Sequence, residues 1–288
     1  MTSGPFPARL HVLLARAARR ALVIRRGPSK QTCVIDWDRE KNTFEVSQWF
    51  KGRLYERRAD LSPDGMHWIY FAMNGKWQSE TRGAWTTVAR TPWLKAISLY
   101  AKGNCWNGGG LFLTNRTFWL NDGLGHVPLF ESSQVHRNIH YHPEHHYGGE
   151  CPHIYYNRLQ RDGWSLIDTI RENQTNGRTI FERTTKAGWV LRKICHEELP
   201  KRKGRGVYWD AHELTGEAGT ISLPDWEWAE WVDDEIIFCL KGCLYRQRII
   251  DADRLTAPEM LHDFNPYTFE KRIAPSIHPE LSATETQL

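Results

Sequence analysis

Short apolar stretches separated by turn residues fill most of the chain, and the clearest set lies at residues 225–248, DWEWAEWVDDEIIFCLKGCLYRQR. The first stretch carries three tryptophans and ends at Asp233-Asp234, the second is the continuous apolar run 236–240, and the third follows Lys241-Gly242. Runs of this length, rich in Ile and aromatic residues and bounded by turn formers, are typical of strands. The segment therefore predicts three antiparallel strands joined by two tight turns.

The same pattern predicts strands and turns upstream. At 61–65, L-S-P-D-G predicts a turn, because Pro63 presets φ and Gly65 tolerates a positive φ. Asn74-Gly75 predicts a tight hairpin that returns through Lys76-Trp77. Further strands are predicted at 32–38, 43–50, 67–73, 85–89, 94–101, 111–113, 117–120, 153–159, 164–167, 178–184, 189–194, 206–212, 220–223 and 259–264.

The N-terminal segment allows two interpretations. Apolar residues between positions 10 and 21 fit a helical stripe, whereas 10–15 and 21–25 also fit the two arms of a hairpin. Because the rest of the chain is rich in strand patterns, we expect the hairpin. No helix is predicted after residue 25.

A short motif, K-G-x-L-Y-x-x-R, occurs twice, at 51–58 and 241–248, with 190 residues between the two starts. Four equal steps across that distance give roughly 47 residues each, within the range of propeller blades. The spacing favours about five blades, or six if the N-terminal hairpin belongs to a blade of its own.

L-S-P-D-G, followed by an aromatic strand and a turn over 61–77, resembles the blades of WD40-type and TolB-type β-propellers. The whole chain is similar to small uncharacterised bacterial propeller-like proteins. This resemblance implies an all-β fold, a β-propeller of about five or six four-stranded antiparallel blades, and it implies no activity. We expect one propeller domain over 1–275 and a disordered polar tail over 276–288.

Composition narrows the functional classes. The chain has 14 Trp, 10 Tyr and 11 Phe, which favours pleated, half-buried surfaces. A net charge of +4 is too mild to indicate nucleic-acid binding, and no apolar run is long enough for a membrane span. Six scattered cysteines indicate reduced thiols and a cytoplasmic location. Cys239 and Cys243 flank a turn and could face each other across a hairpin.

The segment 136–153, HRNIHYHPEHHYGGECPH, concentrates imidazole and thiol groups. Both are zinc ligands, and pairs spaced by one residue could project from the same face of two adjacent strands. The predicted zinc ligands are His140, His142, Cys151 and His153. The competing interpretation is a polar loop with exposed imidazoles.

Carboxylates at strand edges suggest a second kind of site. Asp36, Asp60 and Asp225 could supply the acid and base that glycoside hydrolysis needs near a propeller axis, with aromatic walls for sugar stacking. The competing interpretation is that these residues form turns.

No sequence motif indicates a catalytic activity, so the leading hypothesis is a non-catalytic protein-interaction or scaffold module that binds a protein partner. Its expected anchors are the exposed aromatic residues Trp106, Trp226 and Trp228. The alternatives are a glycan-acting or other small-molecule hydrolase with its site at the propeller channel, and a structural protein that binds zinc. The sequence leaves the oligomeric state open.

Overall fold

The computed structural model describes residues 6–27, 30–123, 125–148, 150–201 and 205–275. The tail predicted for 276–288 lies outside the described residues. Within them the chain is all-β, with five sheets of three to five strands and one helix, α1 (Glu150–Arg161). The described chain contains no helix long and apolar enough to cross a membrane.

We label the sheets A to E. Sheet A contains β1 (Arg9–Leu14), β2 (Arg20–Arg26), β3 (Gln31–Asp38) and β4 (Thr43–Lys51). Sheet B contains β5 (Arg53–Leu61), β6 (His67–Met73), β7 (Ala84–Arg90), β8 (Ala96–Ala101) and β11 (Val127–Phe130). Sheet C contains β9 (Gly110–Phe112), β10 (Thr117–Leu120) and β12 (His136–Arg137).

The helix α1 leads into the remaining two sheets. Sheet D contains β13 (Ser165–Arg171), β14 (Gly177–Thr184), β15 (Val190–Glu197), β16 (Tyr208–Gly216) and β17 (Gly219–Leu223). Sheet E contains β18 (Trp226–Val232), β19 (Glu235–Leu240), β20 (Cys243–Arg248) and β21 (Glu259–Asp263). All strand pairs are antiparallel except the two-residue pairing of β10 with β12.

Neighbouring sheets share hydrophobic cores. Leu10 and Val12 of β1 belong to a core with Trp228 of sheet E, whereas Leu13 belongs to a core with Trp68 of sheet B. Because successive residues of a strand point to opposite faces, β1 contributes to both. Further cores join sheet B to C, sheet C to α1, and α1 to sheets D and E. The packing thus proceeds from A through B, C, α1, D and E, and returns to A.

Local sequence signals placed most strands correctly. The N-terminal hairpin is confirmed, since β1 pairs with β2 from Arg9 opposite Arg26 to Leu14 opposite Ala21. The turn at 61–65 is confirmed as well: Ser62 Oγ donates to Asp64 Oδ1 at 2.6 Å, and Gly65 has φ +72°. The three strands predicted for 225–248 are β18, β19 and β20.

The strand predicted at 153–159 is wrong, because these residues form most of α1. Pro152 lies in the first turn, where its missing N–H costs nothing, and two arginines lie in the last turn, where the helix dipole favours them. Beyond the last turn, Gly163 has φ +93° and the amide of Trp164 donates to the carbonyl of Leu159 at 3.0 Å. These are helix start and stop signals.

Two further expectations are corrected. The connection from β6 to β7 is a ten-residue loop over 74–83, closed where Asn74 N donates to Gly83 O at 3.1 Å, and not a tight turn through Lys76-Trp77.

The two copies of K-G-x-L-Y-x-x-R are not equivalent. The copy at 51–58 links sheet A to sheet B, whereas the copy at 241–248 forms the turn between β19 and β20 and continues along β20. The 190-residue spacing between the two copies therefore does not give the length of a repeat.

Candidate functional site

Three strands, each the first of its sheet in chain order, contribute residues to two openings in the molecule. An opening that we call the upper cleft, about 380 Å³ in volume, is lined by Leu10 and His11 of β1, Glu56 and Arg57 of β5, and Trp226 and Glu227 of β18. A second opening, the lower cleft, about 520 Å³ in volume, is lined by later residues of the same strands, including Leu13, Asp60 and Glu230. The three strands therefore run in the same direction from one cleft to the other.

A layer of buried polar side chains separates the two clefts. Arg57 Nη1 donates to Asp210 Oδ1 at 2.9 Å, and the hydroxyl of Tyr155 donates to Asp210 Oδ2 at 2.8 Å. Beside them, Arg158 Nη2 donates to His11 Nε2 at 2.8 Å. His11, Arg57 and Asp210 face the upper cleft, whereas Tyr155 and Arg158 face the lower one. We call these five residues the axial plug.

The charges of the plug are fixed by their neighbours. Burial alone would raise the pKa of Asp210, but the positive charges of Arg57 and Lys193 outweigh it and hold the pKa below its usual value. Burial and the cations Arg158 and Arg57 lower the pKa of His11 well below its usual value. Asp210 is therefore ionised and His11 is neutral at physiological pH.

A second buried contact ties sheet D to sheet E. Lys193 Nζ donates to His212 Nε2 at 3.0 Å and to the carbonyl oxygen of Ala229 at 3.1 Å. His212 Nδ1 donates to the carbonyl oxygen of Trp226 at 2.9 Å. Burial and the charge of Lys193 lower the pKa of His212 to about 3, so this imidazole is neutral. These bonds hold β15, β16 and β18 together next to the plug.

Charged side chains of both signs line the upper cleft. Arg26 pairs with Glu56 at 2.9 Å, and Arg57 pairs with Asp210. The side chain of Arg9 makes no hydrogen bond or ion pair with any residue that the structure describes. Burial and the nearby charge of Arg26 lower its pKa, whereas the charges of Glu227 and Glu56 act to raise it. The cleft therefore holds a partly desolvated guanidinium that is influenced by the charges of Glu227 and Glu56 but makes no direct ion pair with a described side chain.

Glu227 enters the upper cleft at a β-bulge. Trp226 lies opposite Leu240 and Trp228 lies opposite Cys239, so Glu227 is the extra residue of β18. Its Oε2 accepts the amide N–H of Leu10 at 2.9 Å. Burial raises the pKa of Glu227 to about 7, against the lowering effect of that hydrogen bond and of the nearby arginines. A carboxyl group that is half protonated at neutral pH can donate a hydrogen bond as well as accept one.

The bulge also sends the two flanking tryptophans into different cores. Trp226 stacks on Phe238 with ring centroids 3.7 Å apart, whereas Trp228 belongs to the core between sheets A and E. Trp226 is 6% exposed and Trp228 4%, so their expected role as exposed anchors is wrong. Trp106 is 60% exposed. The prediction of a protein partner therefore depends on Trp106 alone among the three.

The predicted zinc ligands lie on two kinds of structure. His140 and His142 are exposed in the loop after β12, whereas Cys151 and His153 lie on α1. Cys151 Sγ accepts a hydrogen bond from Arg58 Nε at 3.3 Å. The expected geometry of two adjacent strands is wrong, because residues two apart on a helix do not face the same side. Among the described residues, no group of three or more His, Cys, Asp or Glu side chains is placed to hold a metal ion.

The predicted carboxylates are not brought together. Asp36 pairs with Arg20 in sheet A, Asp60 pairs with Arg161 beside the lower cleft, and Asp225 lines the upper cleft. Glu227 was missed by sequence reasoning. Its one signal was a charged residue between two tryptophans in W-E-W, and nothing local marks the bulge.

All six cysteines are free thiols, including Cys239 and Cys243.

Comparison with models of protein families, with curated proteins and with solved structures finds no match for this chain. The functional argument therefore depends on the geometry of the two clefts and the plug.

Proposed function

We propose that the five sheets are the blades of a single β-propeller. Three observations support this: the order of packing returns from sheet E to sheet A, the first strands of sheets A, B and E run in the same direction, and a cleft lies at each end of these strands. Radial packing of this kind buries both faces of each sheet. The axial plug would then close the central channel.

We propose further that the upper cleft binds a small molecule that carries a carboxylate or phosphate group. The observation that carries this proposal is Arg9. Removing a guanidinium from water costs free energy, and that cost is recovered when an anion accepts its hydrogen bonds. Arg26 and Arg57 already have acidic partners, and burial keeps Glu227 partly neutral. Arg205 and Lys241 line the same opening and add positive charge, and Arg9 is the partly desolvated guanidinium on which an incoming oxyanion can form a bidentate pair.

The cleft also has the size and lining of a small-molecule site. Its volume, about 380 Å³, lies within the usual range of ligand pockets. Its floor is the plug, in which Arg57 and Asp210 are held by buried hydrogen bonds, and its walls include Tyr208 and Trp209. A floor fixed in this way is preorganised, so binding does not have to order it.

The test is a binding screen with matched variants. Isothermal titration calorimetry of the wild-type chain against small carboxylates, phosphates and their neutral analogues is expected to find an anion that binds while its neutral analogue does not. Arg9→Gln is expected to weaken that binding by at least about tenfold, the loss of a charge-assisted hydrogen bond. Arg116→Gln, in the exposed turn between β9 and β10, is the control and is expected to bind like wild type. Equal affinities of wild type and Arg9→Gln would contradict the proposal.

Hydrolysis of a bound glycoside is a second candidate, favoured by one observation. Asp225 and Glu227 line the same cleft, and Glu227 has a pKa raised to about 7 by burial, as a general acid requires. In such a reaction Glu227 would donate a proton to the leaving oxygen, and Asp225 would take a proton from the attacking water. Release of nitrophenol from a panel of aryl glycosides, abolished in Glu227→Gln, would support it. A panel without turnover would remove it.

A further inference from the structure

The proposed anion site has a second polar feature beside Arg9. The bulge directs Glu227 into the upper cleft, and the amide of Leu10 occupies Oε2. The other oxygen, Oε1, has no hydrogen-bond partner among the described residues. Arg9 and Glu227 line the same opening, and the charge of each shifts the pKa of the other, so the guanidinium and the carboxyl group lie near each other. A ligand held by Arg9 therefore reaches Glu227 too.

Several charged or titratable groups act on Glu227. Arg9 of β1 and Arg26 of β2 favour the ionised form, whereas Glu56 of β5 and burial favour the protonated form. His11, which faces the same cleft, has a pKa well below its usual value and stays neutral between pH 6 and 8. A ligand anion beside Arg9 would favour protonation of Glu227, because like charges repel. Binding of an anion and protonation of Glu227 are thus coupled.

The lining also selects for hydroxyl groups. Protonated Glu227 supplies a donor, whereas Asp225 is an exposed acidic side chain at the same opening and supplies acceptors. A hydroxyl group can donate and accept at once, so it can bond to either acid. A fatty acid has no hydroxyl group, and a neutral sugar has no negative charge to pair with Arg9.

We infer that the ligand of the upper cleft is a polyhydroxy carboxylate, such as a sugar acid, whose carboxylate binds Arg9 and whose neighbouring oxygen accepts a hydrogen bond from protonated Glu227. This inference rests on the proposed anion site. It adds the ligand class, and it requires that affinity fall as Glu227 loses its proton.

The experiment uses three probes that keep their charge between pH 6 and 8: D-glucuronate, D-glucose and hexanoate. Glucuronate is expected to bind the full chain at pH 6 at least about tenfold more tightly than glucose or hexanoate. Each of those two probes leaves a polar group of the cleft without a hydrogen-bond partner, and that costs about tenfold in affinity or more. Its affinity is expected to fall about tenfold from pH 6 to pH 8, as linkage to one proton with a pKa near 7 requires. Calorimetry in two buffers of different ionisation enthalpy is expected to show proton uptake that increases toward pH 8.

Glu227→Gln keeps a hydrogen-bond donor that does not titrate, so it is expected to bind glucuronate with the same affinity at both pH values. Its melting curve at pH 6 shows whether it folds, and Glu227→Asp, which keeps a titrating acid, is the second variant and is expected to retain a pH dependence. The inference is overturned, with the anion site intact, if hexanoate binds as tightly as glucuronate or if wild-type affinity does not change with pH. If no carboxylate binds, this inference fails, and if no phosphate binds either, the proposed anion site fails with it.

Discussion

Asp210→Asn tests whether the axial plug stabilises the fold through its charge. The carboxylate is fully buried, accepts hydrogen bonds from Arg57 and Tyr155, and lies among the positive charges of Arg57 and Lys193. Asparagine has almost the same size and can still accept a hydrogen bond, so the packing changes little. What the substitution removes is the negative charge that compensates the buried cations.

The expected loss follows from the burial of the pair. The side chain of Asp210 is 0% exposed and that of Arg57 is 10% exposed. Removal of one partner from a buried ion pair costs about 3–5 kcal/mol, because the remaining charge is left without compensation. With a shift of roughly 2 °C per kcal/mol for a chain of this size, the melting temperature is expected to fall by about 6–10 °C.

The loss is expected to depend on pH. In the folded protein the pKa of Asp210 is lowered, so its stabilisation is present above the unfolded value of about 3.9 and is lost as the pH falls toward the folded value. The difference between wild type and Asp210→Asn is therefore expected to be constant from pH 5 to 8 and to shrink below about pH 4.

Urea unfolding followed by tryptophan fluorescence and circular dichroism measures the free energy of unfolding. Asp36→Asn is the matched control, since Asp36 pairs with Arg20 at 2.8 Å where both side chains remain partly exposed. It is expected to cost about 1 kcal/mol or less. In the double variant Arg57→Met/Asp210→Asn, part of the loss should be recovered. Equal losses in Asp210→Asn and Asp36→Asn would refute the reasoning.

Three further outcomes are expected from calorimetric melting. Trp228→Ala should cost about 3–5 kcal/mol, because the side chain is buried between two sheets, whereas Trp106→Ala should change stability by less than about 0.5 kcal/mol. Gly109→Ala should destabilise far more than Gly75→Ala: both have φ above +70°, but a methyl group at Gly109 would overlap a main-chain carbonyl of β5, while at Gly75 no atom lies within 4 Å. Glu227→Gln should melt above wild type at pH 8 but not at pH 4, because a raised acid pKa gives stability that is lost as pH rises from about 4.5 to about 7. These expectations would be contradicted if Trp106→Ala lost as much stability as Trp228→Ala, or if Gly109→Ala and Gly75→Ala lost equal amounts. Melting temperatures of wild type and Glu227→Gln that run parallel from pH 4 to 8 would contradict the third.

Turn chemistry and alternation of apolar residues were enough to place most strands, because both act over a few residues. The turn around Pro63 closes with bonds between Ser62, Asp64 and Gly65, all within the motif itself. The error at 153–159 has the same origin, since a short apolar stretch has no unique period. Pro152 and Gly163, which mark the two ends of α1, were the local signals that could have corrected it.

The candidate site was not predictable in this way. Arg57 and Asp210 are 153 residues apart in the chain, and His11 and Arg158 are 147 apart. Their protonation states depend on burial and on charges brought from other sheets, and neither quantity is a property of a short segment. Glu227 illustrates the same limit, because a bulge exists only where two paired strands disagree in register.

Strand and turn patterns in the sequence were enough to predict an all-β chain and the meander near its C-terminus, since strand period and turn conformations are set by neighbouring residues. The N-terminal hairpin was preferred over a helix only because the rest of the chain is rich in strand patterns. Only the packing of the described residues shows which tryptophans are buried, which carboxylates share a cleft, and which charged side chains of the upper cleft lack a direct acidic partner. Those features arise where strands distant in the chain pack against one another, and the desolvation that this packing imposes on each charge exists only in the assembled fold.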